Sequence, residues 1–374
     1  METQRPQSGA ATLPEALELN YPVLVGAGAI EAAAEFCAPF DRVALLADET
    51  ALGFHKDRLA GLHGVPTQVL PPGESSKEWT QLGQVLDFMA DVGLSRRSLL
   101  LTFGGGVTSD LGGLAASLFN RGTSVGHLPT TLLSQVDASI GGKTAINLSA
   151  GKNLAGTFHA PRFVLADPSV LATQAVEEWQ SGLGEVVKSA LLARPRHFQT
   201  LEDAAGTIQS PNGAQTPEMA AIIQSCIQTK AQWVQEDPTE QGARKALNLG
   251  HTFAHALEHL AGYGEIPYGI AVGMGLVLAT QTARAMGVLE EEDLEPRLLD
   301  LMKTLGLPRY PSEWKASSAL NWNADLWIAS FAHDKKGSVA QPRFVLPVRL
   351  GRVLWDQKVD SDLLRDVIDR WTQS

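Results

Sequence analysis

The chain has 374 residues, 44% of them hydrophobic and 19% charged, and its 41 acidic and 30 basic residues give a formal net charge of −11. That length exceeds the ~250–300 residues over which one hydrophobic core keeps growing, so two domains are expected. The acidic balance argues against a general nucleic-acid or acidic-membrane binder, so an anionic substrate must meet a local basic cluster.

The first dozen residues, rich in Gln, Ser, Gly and Pro, read as a frayed leader without the apolar run of a signal peptide. No later run approaches the ~18 apolar residues of a membrane span. Cys37 and Cys226 lie in unrelated segments outside any CxxC pair, which argues against a disulfide framework or thiolate metal site and fits a reducing cytoplasm.

From Tyr21 to about Asp167, the runs YPVLVG, RVALLA, VPTQVL, SLLLTF, TSVGHLP and RFVLAD alternate with turns or helical stretches. That rhythm predicts an α/β domain with a parallel, Rossmann-like sheet over 15–172. Within it, VLVGAGAIE places Gly26 and Gly28 after a strand, with Asp48 at the end of the next one. Glu31 replaces the third glycine of a dinucleotide fingerprint, so an ordinary strand-to-helix turn and a pyrophosphate loop both stay open. Asp48 could hold a ribose hydroxyl pair in either case.

LLLTFGGGVTSDLGG is the stronger cluster: a strand, then Gly104, Gly105 and Gly106, then a helix opening that carries Asp110. Glycines there allow backbone approach, and the helix start offers unpaired N–H groups to a pyrophosphate; a mere tight connection is the plainer alternative. The stretch that follows holds Arg121, Asp137, Lys143, Lys152 and Asn153 among glycines and hydroxyls. Such charges beside apolar runs line either a solvated surface loop or a cavity that faces charged ligand groups.

After about Val170, the segments 176–194, 217–236, 243–261, 268–287 and 292–305 show period-3.6 apolar spacing, predicting a mainly α-helical domain over 173–374. AAGTIQSPNGAQTP within Asp203–Glu218 predicts an exposed loop, and Arg343–Trp355 a small hairpin. Glu185 and Lys188 share a helix face, as a surface salt bridge would. His251 and His255 share another, and two helical histidines with a carboxylate from a second helix are the makings of a divalent-metal site. His259 reads as solvated, and His127 and His159 as packing or surface residues. Lys230, Arg244 and the pair Lys335–Lys336 read singly as surface charges and together as the basic cluster an acidic substrate needs.

The strings GGGVxxDLxG, PTTLLSQVDxSxGGKTAxN, GKN, GLxEVxK and LNLGHTFxHAxE, spread between about Val43 and Leu350, resemble the 3-dehydroquinate synthase family of sugar phosphate cyclases. The resemblance implies an N-terminal NAD-binding domain, a helical metal- and substrate-binding domain, an active site in the cleft between them, and a cytoplasmic homodimer. It implies that Asp48, Glu49, Glu74, Lys77, Gly105, Gly106, Asp110, Thr130, Thr131, Lys143, Lys152 and Thr173 hold NAD. Glu185 and His251 match metal ligands for zinc or cobalt. Asp137, Lys143, Lys188, Lys230 and His255 match catalytic positions. Arg121, Asn153, Arg244, Asn248 and one of Lys335 and Lys336 match contacts to a phosphorylated keto acid, Arg121 reaching into the neighbouring subunit's site.

The implied reaction converts 3-deoxy-D-arabino-heptulosonate 7-phosphate to 3-dehydroquinate and phosphate, with NAD oxidising one hydroxyl transiently, phosphate leaving, the hydride returning and an aldol reaction closing the ring. The chain departs from the family at IPYGIAVGMG, where Tyr268 stands in place of the third metal histidine and Ile270 in place of a glutamate. Tyr268 ligates directly, a water replaces the nitrogen, or the site is weak. Gly184, where alanine is commoner, reads as a minor change. Cyclases of sedoheptulose 7-phosphate or glucose 6-phosphate, a polyol or glycerol-phosphate dehydrogenase, and a non-catalytic relative are the competing readings.

Overall fold

The computed structural model describes residues 9–12, 19–262, 265–314, 323–331 and 342–374. Lys335 and Lys336 lie outside the described residues. Two compact units emerge, one of residues 18–179 and 211–227, the other of 1–17, 180–210 and 228–374.

The strands in chain order are β1 (Gly9–Thr12), β2 (Val23–Val25), β3 (Val43–Asp48), β4 (Thr67–Leu70), β5 (Leu99–Gly104), β6 (Ser124–Pro129), β7 (Lys143–Leu148), β8 (Gly151–Phe158), β9 (Val164–Ala166), β10 (Phe344–Arg349) and β11 (Arg352–Gln357). The six apolar runs become β2, β3, β4, β5, β6 and β9, which form one sheet in the order β2-β9-β6-β5-β3-β4. Every pairing in it is parallel. β5 is buried along its whole length, as a parallel strand covered on both faces must be.

Its helices are α1 (Ala33–Cys37), α2 (Glu49–His55), α3 (Trp79–Asp91) and α4 (Gly106–Leu118). Leu82, Val85 and Met89 of α3 and Leu111, Leu114 and Ala115 of α4 join Leu46 and Leu100 of the sheet in one core. α4 comes unusually near the sheet, because a Cβ on Gly112 would lie 2.4 Å from Thr102 Cγ2. The polar stretch folds into an antiparallel β7–β8 hairpin, preceded by one π-helical turn over Ser134–Ala138.

The other unit carries most of α5 (Val176–Leu192), then α6 (Pro195–Ile208), the C-terminal part of α7 (Pro217–Glu236), whose first half belongs to the α/β unit, then α8 (His251–Ala261), α9 (Tyr268–Ala285), α10 (Leu294–Thr304), α11 (Ala324–Phe331) and α12 (Ser361–Thr372). β10 and β11 form the expected hairpin, and β1 adds a third strand beside β11. Residues 9–12, read as leader, are therefore paired.

Two other expectations change. The loop foreseen at Asp203–Glu218 is helical to Ile208, because Leu201, Ala204, Ala205 and Ile208 turn one buried stripe inward. The single helix foreseen over 243–261 is a 3-10 segment, Ala243–Asn248, followed by α8; Gly250, with φ at 80°, separates them.

Candidate active site

In the α/β unit, Asp48, Gly104 and Thr130 stand at the C-terminal ends of β3, β5 and β6, adjacent strands of a parallel sheet and the side on which such sheets take ligands. Gly105 precedes α4 in extended conformation and the helix has no side-chain cap, so its first-turn N–H groups are offered to an anion. A Cβ on Gly104 would lie 2.9 Å from Asp48 Cβ, which places the acid directly beside the glycines. Asp48 also caps α2, accepting from Ala51 N at 2.9 Å, while Glu49 is exposed. This uncapped helix start with a carboxylate beside it fits a dinucleotide.

The earlier loop at Gly26 and Gly28 has another occupant. Gly28 N–H donates to Asp167 Oδ2 at 2.8 Å, and the same buried carboxylate receives Arg58 at 2.5 Å and Ser169 Oγ at 2.6 Å. Arg58 also pairs with Glu31, which holds that carboxylate below the usual range. An internal acid thus fills the turn, and the ordinary strand-to-helix reading accounts for it.

Four foreseen residues meet in one network. The ammonium of Lys77, 5% exposed, donates to Asp110 and, at 2.5 Å, to Asn153 Oδ1. Asn153, with φ at 55°, donates its N–H to Asn147 Oδ1 at 2.9 Å, and Asn147 Nδ2 donates to Glu74 Oε1 at 2.7 Å. Asn147 was not foreseen as a site residue; its signal was the asparagine closing KTAIN.

Thr131 packs on the glycines too, a Cβ on Gly105 falling 3.0 Å from its Cγ2. Thr131 Oγ1 accepts from Ser134 N at 3.2 Å, and Thr130 N–H donates to Gly104 O. Thr173 shares its hydroxyl with His55 at 2.8 Å. Lys143 opens β7 and is exposed, Lys152 is half-buried on β8, Asp137 lies in the π turn, and Arg121 is exposed with φ at 63°. His127 is buried against Thr102, Nδ1 to Oγ1 2.7 Å, and burial pushes it down to about 3.

In the helical unit, Glu185 and Lys188 form an ion pair, but at 1% and 3% exposure it is no surface bridge. His251 opens α8 with Nδ1 3.1 Å from Leu249 O. A carbonyl can only accept, so Nδ1 carries a proton, which leaves Nε2 as the ring atom on the side of Glu185 Oε1, 3.7 Å away. Two ligands of one tetrahedral ion stand ~3.3 Å apart, so this pair fits two places of a divalent-cation site. The Tyr268 ring lies edge-on to His251 with centroids 5.7 Å apart, and the His255 ring is 6.1 Å from His251 on the other contact. Among the described residues no third His, Cys, Asp or Glu completes a metal cluster.

Gly184 is not a minor change. A Cβ on it would fall 1.8 Å from Gly269 O, and one on Gly269 1.8 Å from Ser181 O, so α5 and α9 touch backbone to backbone beside Glu185 and Tyr268. Ser181 Oγ accepts from Gly269 N at 3.0 Å across the same crossing. Ile270 is fully buried.

Lys230 is 9% exposed and Arg244 wholly buried, so neither is a surface charge. Arg244 donates to Pro238 O at 2.7 Å, and Asn248 Nδ2 to Glu240 Oε1 at 2.6 Å. Burial works against the Asp237 carboxylate, but the N–H groups of Gly242, Gln241 and Arg244 outweigh it, lowering its pKa and tying the loop that carries Arg244. No helix among the described residues is long and apolar enough to cross a membrane.

Comparison with known proteins covers both sets of residues. Residues 67–181 match the family profile "3-dehydroquinate synthase N-terminal" and residues 182–337 match "3-dehydroquinate synthase C-terminal". The chain is 39% identical over 353 residues to a 3-dehydroquinate synthase of Rhodospirillum rubrum, spanning 92% of this chain and 90% of that protein. It is 37% identical over 365 residues to one of Laribacter hongkongensis, spanning 96% and 97%. Among solved structures, ValA, a 2-epi-5-epi-valiolone synthase from Streptomyces hygroscopicus with NAD+ and Zn2+ bound, superposes with a TM-score of 0.80 at 28% identity over 95% of this chain and 97% of that one. With both profiles matched end to end across the glycine cradle and the Glu185–His251 pair, the chain belongs to the 3-dehydroquinate synthase family.

Proposed function

We propose that the protein is a 3-dehydroquinate synthase, an NAD- and divalent-metal-dependent phosphorus–oxygen lyase that converts 3-deoxy-D-arabino-heptulosonate 7-phosphate to 3-dehydroquinate and phosphate. The observation that carries the reading is the buried Glu185 carboxylate set between His251 and Lys188, in a chain matched along both halves by synthase profiles. The proposed division is an NAD-binding domain over 15–172 and a metal- and substrate-binding domain over 173–374, in a cytoplasmic homodimer.

When bound, NAD supplies a reversible hydride acceptor and the cation a Lewis acid for the hydroxyl being oxidised. The chain's own residues supply position and charge. Glu185 and His251 hold the cation, with Nδ1–H of His251 fixing its ring on Leu249 O. The helix start at Gly105 and Gly106 takes the pyrophosphate of NAD, Asp48 and Glu49 the ribose, and the Glu74–Asn147–Asn153–Lys77–Asp110 network keeps that side of the pocket rigid. Thr130, Thr131, Lys152 and Thr173 complete the cofactor set, and Asp137 and His255 the catalytic one.

Lys143, Lys230, Arg244 and Arg121, with Asn153, Asn248 and one of Lys335 and Lys336, surround the phosphate and carboxylate of the substrate. Lys188 sets its ammonium against the buried Glu185 carboxylate, a contact that favours the ionised form a ligand role needs. Little general base is required of the protein, since departing phosphate accepts the proton itself. Orientation of a trianion by fixed cations is then the main catalytic contribution.

A second reading, cyclisation of sedoheptulose 7-phosphate, is favoured by one observation, the superposition on a 2-epi-5-epi-valiolone synthase. One assay separates the two: phosphate release from each sugar phosphate with NAD and zinc or cobalt, with and without chelator. Turnover of the seven-carbon keto acid alone is expected. Release only from sedoheptulose 7-phosphate, or NADH accumulating in proportion to substrate, would overturn the assignment.

A further inference from the structure

The N-terminal edge of the parallel sheet, opposite the edge that carries Asp48 and the glycines, holds a cavity of about 500 Å³ beneath the adjacent strands β2, β9, β6 and β5. Its lining comes from the segments that lead into those four strands, with Tyr21, Arg96, Ser124, His159, Pro161 and Arg162 among them and no carboxylate. In a chain of net charge −11, a cavity whose charged groups are all basic marks a place built for anions.

The two arginines are held by one edge each. Arg96 donates through Nε to Asn120 O at 2.7 Å, and Arg162 through Nε to Ser124 Oγ at 3.2 Å. Neither guanidinium makes another hydrogen bond or ion pair among the described residues, so both keep their terminal NH2 groups unspent. That anchoring removes part of the rotational freedom a free arginine would lose on binding, and the remaining fork matches a carboxylate or phosphate. His159 is also fixed, giving Nε2–H to Thr123 O at 2.8 Å. The volume lies in the range of small-molecule pockets and exceeds what one oxyanion fills, and Tyr21 with Pro161 supplies a less polar wall.

We propose that this cavity is a second oxyanion site, taking a small organic anion whose carboxylate or phosphate head is bound by Arg96 and Arg162 and whose ring-sized body lies against Tyr21 and Pro161. It shares no residue with the machinery assigned to NAD, metal or substrate, so it stands or falls separately from the proposed activity.

The test has two arms. Crystals of the full chain soaked in tungstate, a heavy phosphate analogue, should show an anomalous peak between the two guanidinium groups, separate from any peak near Lys143 or Lys230. Calorimetric titration with inorganic phosphate and with benzoate, at constant ionic strength, then identifies the preferred head group. The double variant Arg96→Gln/Arg162→Gln should weaken the tighter of the two ligands about tenfold or more, with NAD affinity and melting temperature unchanged. An empty cavity at saturating tungstate, equal affinities for wild type and variant, or a second copy of the chain seated in the cavity would each overturn the proposal. Should the variant not fold, the wild-type soak decides alone.

Discussion

Oε1 of Glu185 lies 3.7 Å from Nε2 of His251, while Lys188 holds the other oxygen of the same carboxylate. Two strong donors therefore lie close to one point, and the Tyr268 ring stands edge-on to His251 with centroids 5.7 Å apart. A phenol is a reluctant ligand, with a free pKa near ~10, where an imidazole is ready at neutral pH. Tyr268→His is expected to raise zinc or cobalt retention by at least about tenfold, the lower end of what even an outer-shell partner is worth. Metal content after dialysis against a chelator measures it, and equal loss from both proteins would show that Tyr268 does not stand at the metal.

The α5–α9 crossing gives a second expectation. Since an alanine Cβ at 184 would fall 1.8 Å from Gly269 O, Gly184→Ala must push two helix backbones apart. Overpacking of that kind costs roughly 1–3 kcal/mol. Urea unfolding reads the loss, and metal affinity should fall with it, because Glu185 and Tyr268 sit on the helices that separate. An unaltered midpoint would mean that the crossing is looser than its geometry.

Lys77→Met removes the ammonium that joins Asp110 to Asn153. At 5% exposure the loss leaves two polar partners without their donor, costing about 1–3 kcal/mol of stability. NAD affinity should drop about tenfold with it, as followed by fluorescence titration. Full NAD affinity in the variant would separate the network from the cofactor pocket.

Acid stability should carry a histidine signature. Burial first, and the charge of His159 second, push His127 down to about 3, whereas an unfolded histidine titrates near ~6.5. The unfolded chain takes up this proton as pH falls below ~6.5 and the folded chain does not, so stability declines from there toward about 3. One proton contributes at most ~1.4 kcal/mol per pH unit. His127→Gln should flatten the acid limb by about that slope between pH ~6 and ~4 in denaturant titrations, and parallel limbs would sink the idea.

The sheet was legible because each of its strands is a short apolar run bounded by turn residues, and a parallel strand covered on both faces needs no alternation to be recognised. The β7–β8 hairpin was not, since its polar and glycine-rich strands imitate a loop; only the buried Thr144 and Ile146 betray the face turned inward. In α6 the signal was present, Leu201, Ala204, Ala205 and Ile208 standing at helical spacing, but Gly206 and the Ser-Pro-Asn-Gly that follows outweighed it. Glu185, Lys188 and His251 were named by motif. Their burial and mutual orientation depend on which helices cross, and local spacing carries no record of that.

Asp167 seated on the Gly28 amide has a consequence for how this enzyme can vary. A turn that supplies its own counter-ion requires no guest to be stable, so the first crossover is released from nucleotide duty. The sequence around Gly28 and Glu31 can drift without disturbing the glycine turn three strands on in chain order, provided the acid and its arginine stay together.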